Sequence, residues 1–305
     1  MASSPIIQVE GVSKRFGAFL ALEDINFTVK KGEIVGFVGL NGAGKSTTIN
    51  LLLGFLRVSE GQVKVFDQVI TPESAHRTHG RIGFASGDMS LFNNLRGDQY
   101  LAFLAHRYGL RDDVRLQELC RQFEPQLDKK IGDLSRGNRQ KVALIGAFIA
   151  SPELVILDEP SSGLDPLMQQ VFLDLVREEG ERGTTIFMSS HYLGEVADVC
   201  SRVLLMRKGK LVEDIQSHQL AAAGGKMIRA TGSRAITPPK SAESITQQKV
   251  GDEYETSFVY KGSSVELQKW LASAPPLSDF SVTEHDLEAA FSDLYAKDAV
   301  EAPDA

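Results

Sequence analysis

The fold of this chain is decided by the stretch Gly39-Leu40-Asn41-Gly42-Ala43-Gly44-Lys45-Ser46-Thr47. Residues 33–38 before it are mostly apolar and β-branched or aromatic, which predicts a strand buried on both faces, and residues 47–53 after it predict a helix. Between a strand and a helix, glycines let successive backbone N–H groups point at phosphate oxygens, and the helix N-terminus adds partial positive charge. The pattern indicates a phosphate-binding loop, the alternative being a glycine-rich turn that binds nothing.

The loop also carries two side chains with chemical roles. Lys45 would reach the β- and γ-phosphates of a bound nucleotide, and the Ser46 hydroxyl would ligate Mg²⁺. We therefore expect a nucleoside triphosphate site, with ligands from Gly39, Asn41, Gly42, Ala43, Gly44, Lys45, Ser46 and Thr47.

A second apolar run ends in two acids. Leu154-Val155-Ile156-Leu157 predicts a buried strand, and Asp158 and Glu159 follow it directly. Two acids after a strand more often mark an exposed loop, but a phosphate-binding loop in the same chain favours a catalytic interpretation. Asp158 would hold Mg²⁺ at the strand end, and Glu159 would polarise the attacking water as general base.

Two smaller features complete the set of candidate residues. Leu134-Ser135-Arg136-Gly137-Asn138-Arg139-Gln140 opens a predicted helix with a serine and a glycine, which predicts a second anion-binding helix end. His191 follows a predicted strand at 184–188, a position where a lone histidine is ordinarily a surface or capping residue.

In this order the motifs resemble those of the ATP-binding subunit of an ABC (ATP-binding cassette) transporter, over about residues 5–220. The matching stretches are the phosphate-binding loop at 39–47, the signature at 134–138, the Walker B strand at 154–159, the D-loop at 161–165 and the switch histidine at 189–191. The resemblance implies ATP and Mg²⁺ as cofactors, with Asp158 and Ser46 as metal ligands.

The resemblance also assigns roles to residues that the spacing alone leaves open. It implies that Glu159 and His191 are catalytic and that Ser135, Gly137 and Asp165 bind nucleotide. It further implies that Phe16 stacks on adenine, and the alternative for Phe16 is a core aromatic on an early strand.

The chain departs from the family pattern at two places. The usual signature is Leu-Ser-Gly-Gly-Gln, and here Arg136 replaces the glycine before Gly137 while Asn138 replaces the glutamine. Aligning residues 82–84 with the strand that usually precedes the Q-loop glutamine puts Gly87 at that position. Asp88 would then bind Mg²⁺-associated water, or the contact would be absent, which bears on how tightly hydrolysis is coupled to the partner.

Composition limits the remaining possibilities. A net charge of −7 argues against a general nucleic-acid surface, and the cysteines Cys120 and Cys200 predict a reducing compartment rather than a disulfide scaffold. The chain shows no secretory signal and no apolar run of the ~18–20 residues that cross a bilayer. We expect a soluble cytoplasmic chain that is peripheral at the membrane, with any membrane span supplied by another polypeptide.

The expected fold is α/β, a P-loop NTPase cassette with a mixed sheet core, an antiparallel β subdomain, a helical subdomain and a small C-terminal α/β domain. The predicted domains are 1–222, with the helical subdomain at about 97–150, and 226–297, followed by a disordered tail at 298–305. Small residues at 221–225 mark the boundary, and the last helix is predicted to begin at Thr283 or Glu284.

The resemblance implies the motor subunit of an exporter. Two cassettes, expected to be identical, would pair head to tail, with each ATP between the phosphate-binding loop of one subunit and Ser135 and Gly137 of the other. The pair would drive export through a separate transmembrane permease. Two alternatives stay open: a soluble ABC ATPase acting in translation or DNA repair, and a nucleotide-binding regulator with little turnover, motivated by Gly87. The motifs do not specify the transported substrate, because in this family the membrane subunit makes most of its contacts.

Overall fold

The computed structural model describes residues 5–87, 91–110, 114–217, 219–220 and 225–284. The backbone divides into two compact units, Met1–Ile215 and Gln216–Ala305. This division falls a few residues before the 222/226 boundary expected from the sequence, and residues 221–224 of the small-residue run lie outside the described residues.

The secondary structure is named here in chain order. The strands are β1 Pro5–Phe16, β2 Phe19–Lys30, β3 Ile34–Val38, β4 Glu60–Val65, β5 Gln68–Val69, β6 Ile82–Ser86, β7 Leu154–Asp158, β8 Thr185–Ser190, β9 Arg202–Arg207, β10 Lys210–Gln216, β11 Lys226–Gly232, β12 Ala242–Val250, β13 Glu253–Tyr260 and β14 Leu277–Glu284. The helices are α1 Lys45–Leu52, α2 His76–His79, α3 Gly97–Arg107, α4 Val114–Phe123, α5 Arg136–Phe148, α6 Pro166–Glu181, α7 Leu193–Ala197 and α8 Ser264–Ser273, with a 3₁₀ turn at Ile131–Asp133.

A six-stranded sheet in the order β10-β9-β3-β8-β7-β6 forms the centre of the first unit. Strand β3 is parallel to β8 and β9, and β7 is parallel to β6 and β8. Parallel strands covered on both faces are apolar along their length, and residues 154–157 are accordingly fully buried. Because β6, β7 and β8 run in one direction, their carboxyl ends meet at one edge, with Asp158 opposite Ser189 and Ser86.

The second sheet of this unit has the order β2-β1-β4-β5 and is antiparallel in each of these pairs. Its inner face joins the central core through three aromatic rings: Phe27 lies 5.9 Å from Phe37 and 5.8 Å from Phe187, between ring centroids. The hairpin between β1 and β2 turns at Gly17, whose φ of 58° lies in the left-handed region, and pairs Phe16 with Phe19.

Helices α3, α4 and α5 occupy the predicted helical segment. Tyr100 and Leu101 of α3 are buried, so this helix contributes to core packing. Helix α5 begins after Ser135, whose hydroxyl accepts a hydrogen bond from the backbone N–H of Asn138, and it buries seven side chains. The signature thus stands at the start of a helix anchored by its apolar face.

The second unit contains a sheet in the order β12-β13-β11-β14 with helix α8. Ile228, Phe258, Tyr260 and Leu267 form its core. Strand β12 was not foreseen, because it is a polar edge strand whose side chains are nearly all exposed. The prediction that a helix begins at Thr283 or Glu284 is wrong: both residues pair with β11 as the end of β14, while 285–305, including the predicted tail, lie outside the described residues.

The structure bears on membrane crossing and on the state of the two cysteines. Within the described ranges, no helix combines the length and the apolar character needed to cross a membrane. Cys120 and Cys200 are free thiols, and complete burial raises the pKa of the Cys200 thiol well above its ordinary value.

Candidate nucleotide site

The phosphate-binding loop connects β3 to α1 and depends on its glycines. Gly42 and Gly44 have φ values of 82° and 107°, a region that side-chain-bearing residues rarely adopt. A Cβ atom on Gly44 would stand 2.5 Å from Leu22 Cδ2, and one on Gly39 would stand 2.5 Å from the carbonyl oxygen of Met206. The backbone therefore packs closely on its neighbours while its N–H groups remain near the start of α1.

Lys45 is the first residue of α1 and is only 4% exposed. Its Nζ donates a hydrogen bond to the carbonyl oxygen of Gly39 at 2.6 Å, and it lies 3.3 Å from Glu159 Oε1. A buried ammonium needs an anionic or polar partner, and here a loop carbonyl and a carboxylate provide both. The two residues predicted from separate motifs are thus in direct contact.

Glu159 stands at the centre of the site and has an unusual backbone. Its φ of 49° places a non-glycine residue in the left-handed region, a strain that packing around it must maintain. Its Oε2 atom lies 3.6 Å from Nδ1 of His191, so one carboxylate contacts the predicted lysine with one oxygen and the predicted histidine with the other.

Ser189 holds the end of β7 in place. Its hydroxyl donates to Asp158 Oδ1 at 2.6 Å and accepts from the backbone N–H of Glu159 at 3.0 Å. Ser189 is fully buried at the end of β8, directly opposite Asp158. One hydroxyl therefore orients both acids, a role that sequence reasoning missed although the serine stands two residues before His191.

Two adjoining cavities open beside these side chains. One has a volume of about 280 Å³ and is lined by Asn41, Ser46, Ser86, Gly87, Arg136, Asp158, Glu159 and Ser162. The other, of about 270 Å³, is lined by Phe19, Ala21, Asn41, Gly42, Gly44, Lys45, Ser46, Thr47 and Glu159. Ser46 and Asp158 thus present a hydroxyl and a carboxylate to one polar cavity, and such hard oxygen ligands suit Mg²⁺.

The lining of these two cavities in the described chain leaves out some predicted residues. Those outside it are Phe16, Gly39, Ala43, Ser135, Gly137, Asp165 and His191. Gly39 nonetheless contacts Lys45, and His191 contacts Glu159. Ser135 caps α5, and Asp165 caps α6 by accepting from the backbone N–H of Met168 at 3.0 Å, so neither residue belongs to the walls of these two cavities.

Two phenylalanines lie at the open side of the loop. Phe16 is 46% exposed at the end of β1, with Lys14 Nζ 4.9 Å from its ring centroid, so the core-aromatic alternative is wrong. Phe19, its cross-strand partner, is 66% exposed and lines the cavity beside Lys45 and Thr47. Sequence reasoning missed Phe19, and the available signal was a second aromatic residue three positions after the first, across a glycine turn.

Gly87 lies within the site, as its position in the alignment predicts. Its backbone N–H donates to the carbonyl oxygen of Asp158 at 2.9 Å. A Cβ atom there would stand 2.9 Å from the carbonyl oxygen of Glu159 and 3.0 Å from Cβ of Ser162. A residue with a side chain would have to displace this wall, and Asp88, the predicted substitute, lies outside the described residues.

This arrangement defines a P-loop nucleotide-binding cassette. A family model described as "ABC transporter" matches residues 22–162. The probable multidrug ABC transporter ATP-binding protein YbhF of Escherichia coli strain K12 is 35% identical over 212 residues, which make up 68% of this chain but only 36% of YbhF. The bacitracin transport ATP-binding protein BcrA of Bacillus licheniformis is 32% identical over 231 residues, covering 74% of each chain.

A solved structure gives the same result in three dimensions. It is described as the ATP-binding subunit of an ABC transporter, and it matches with a TM-score of 0.66 and 30% identity over 70% of this chain and 91% of the other. The chain therefore belongs to the ABC transporter ATP-binding family, a family of ATPases.

Proposed function

We propose that this chain is the ATP-hydrolysing motor subunit of a membrane exporter. The observation that carries the proposal is the contact between Lys45 of the phosphate-binding loop and Glu159 at the end of β7. Both residues line one cavity, which supports pairing a phosphate-binding cation with a carboxylate base there. Phosphoryl transfer to water needs little more than such positioning and charge stabilisation.

The residues divide the reaction between them. Loop N–H groups and Lys45 hold the phosphates, and Glu159 accepts the proton of the attacking water. His191, within 3.6 Å of Glu159, holds the carboxylate in position. When bound, Mg²⁺ would neutralise charge on the phosphates, and Ser46 and Asp158 are the residues that would hold it.

The proposal includes a head-to-tail dimer. Ser135 and Gly137 lie outside the cavities of their own chain, which supports a role for them at the nucleotide of a second cassette. A mixture of Ser135→Arg and Lys45→Ala subunits tests this. In a mixed dimer one site carries both defects and the other carries neither, so hydrolysis that both homodimers lack should reappear. Mixtures that stay inactive although mixed dimers form would contradict the arrangement.

Export is supported by the relatives. BcrA is named for bacitracin transport, and a further relative, LnrL of Bacillus subtilis, is named for linearmycin resistance and is 31% identical over 212 residues. We infer that the chain works at the cytoplasmic face of a membrane with a separate permease, and that its second unit has an accessory role there. Co-purification with a membrane protein, and ATPase activity that changes when that protein is added, would test the assignment.

A second candidate is a nucleotide-dependent regulator with little turnover. Gly87 favours it, because the wall at this position cannot accept the glutamine side chain without rearrangement. Steady-state turnover separates the candidates: a motor hydrolyses ATP continuously in the presence of its permease, whereas a regulator binds ATP and releases almost no phosphate under the same conditions.

A further inference from the structure

Arg136 is a signature residue that lies at the catalytic cavity of its own chain. It is the first residue of α5, next to Ser135, and its side chain lines the cavity formed by Ser46, Asp158 and Glu159. Its Nη2 atom donates a hydrogen bond to the hydroxyl of Ser162 at 2.8 Å. The usual family signature has a glycine here, so the guanidinium adds a positive charge that this pattern lacks.

The D-loop backbone packs closely against the side chain of Arg136. A Cβ atom on Gly163 would stand 3.0 Å from Cγ and 3.1 Å from Cδ of Arg136, and the φ of Gly163, 85°, is itself unfavourable for other residues. Beside it, a Cβ atom on Gly137 would stand 2.8 Å from the carbonyl oxygen of Gly163. Glycines at both positions therefore allow the arginine stem to cross the loop and reach the cavity.

Gly87 lines the same cavity next to Ser162 and offers no side chain there. The charged side chains that line this cavity in the described part of the chain are Arg136, Asp158 and Glu159. A terminal phosphate entering between Ser46 and Glu159 would meet two carboxylates and needs positive charge on that side. A guanidinium is permanently ionised and donates hydrogen bonds in a planar fork that suits phosphate oxygens.

We propose that Arg136 binds the terminal phosphate of the nucleotide held by its own chain, on the side of the cavity that Gly87 leaves without a side chain. The inference rests on the proposed ATP-binding function and adds a group that distinguishes ATP from ADP. Successive side chains on a helix diverge by about 100°. One helix start therefore serves two nucleotides, with Ser135 acting across the dimer and Arg136 within the subunit.

Affinities for two nucleotides test this contact. Arg136→Gln, Arg136→Lys and the parent chain are titrated with Mg-ADP and with the non-hydrolysable Mg-AMP-PNP, at concentrations where ultracentrifugation shows monomers. Loss of a charge-assisted hydrogen bond in Arg136→Gln should lower the affinity for AMP-PNP about tenfold or more, while the affinity for ADP stays within about twofold of the parent's. Lysine should restore part of the loss, and Arg177→Gln, at an exposed ion pair on α6, serves as the matched control.

The other outcomes are equally informative. Unchanged AMP-PNP affinity in Arg136→Gln, or a loss seen only at concentrations where dimers form, would overturn the within-subunit contact. Equal weakening of both nucleotides by Arg136→Gln and by Ser162→Ala would assign the arginine to loop packing and would also overturn it. Failure of the parent chain to bind either nucleotide would instead refute the proposed function, on which this inference depends.

Discussion

Replacing Glu159 by glutamine is the most direct perturbation of the proposed chemistry. The amide keeps the size and shape of the carboxylate, so the strained backbone at φ 49° and the packing around it should persist. The amide oxygen can still face the ammonium of Lys45, now 3.3 Å from Oε1, but the side chain no longer accepts a proton from water. The substitution therefore separates proton transfer from nucleotide binding.

The size of the effect follows from what is removed. General base catalysis contributes roughly 10²–10⁴-fold to rate, equivalent to about 3–5 kcal/mol of barrier height. Under the proposed function, the phosphate contacts come from the loop and Lys45, which the substitution leaves in place. We expect ATP affinity close to that of the parent chain, with hydrolysis slowed by ~10²–10⁴-fold and an ATP-bound dimer accumulating.

The assay combines phosphate release, nucleotide titration and size-exclusion chromatography. Glu153→Gln is a matched control: Glu153 immediately precedes β7 as Glu159 immediately follows it, and its exposed pair with Arg81 contributes no more than about 1 kcal/mol to stability. The control should hydrolyse ATP like the parent chain. Normal turnover in Glu159→Gln would refute the assignment of the base.

Four further substitutions test other parts of the structure. Lys45→Ala removes the buried cation at the phosphates and should lower both Mg-ATP affinity in titrations and phosphate release. Phe16→Ala should lower the affinity for a fluorescent adenine nucleotide without slowing hydrolysis at saturating ATP. Phe19→Ala is measured in parallel. Unchanged affinity in Phe16→Ala would contradict the stacking prediction. Gly36→Ala would place Cβ 1.8 Å from Val196 Cγ1 and should cost about 1–3 kcal/mol of unfolding free energy, read as a lower Tm.

The sequence was sufficient wherever a motif and its flanking elements carry the same information. Residues 39–47 predict a strand, a loop and a helix, and the structure has β3, the loop and α1 in that order. The acids at 158–159 were assigned to a strand end, and β7 ends at Asp158. These local predictions succeed because backbone conformation at glycine turns and apolar strands is set mainly by near neighbours.

Other parts of the site depend on tertiary register, which no local pattern contains. Ser189 reaches both acids because β8 pairs with β7 in a register that puts it opposite Asp158. Arg136 reaches the cavity because α5 starts beside the D-loop, and Phe19 does so because the hairpin pairs it with Phe16. Strand β12 was not predicted for a different reason. Nearly all of its residues are exposed, so its sequence lacks the alternation of apolar and polar residues that marks a strand.

Under the proposed function, the Lys45–Glu159 pair would link nucleotide binding to catalysis. Burying Lys45 without a counter-charge would be costly, and in this structure Glu159 supplies that charge. Nucleotide phosphates carry more negative charge and approach the same ammonium through the loop, so they would replace the carboxylate as its partner. Glu159 would then be released to face the attacking water while His191 still holds its other oxygen. Under the proposed function, competition between the phosphates and Glu159 for the same ammonium would make activation of water depend on bound substrate.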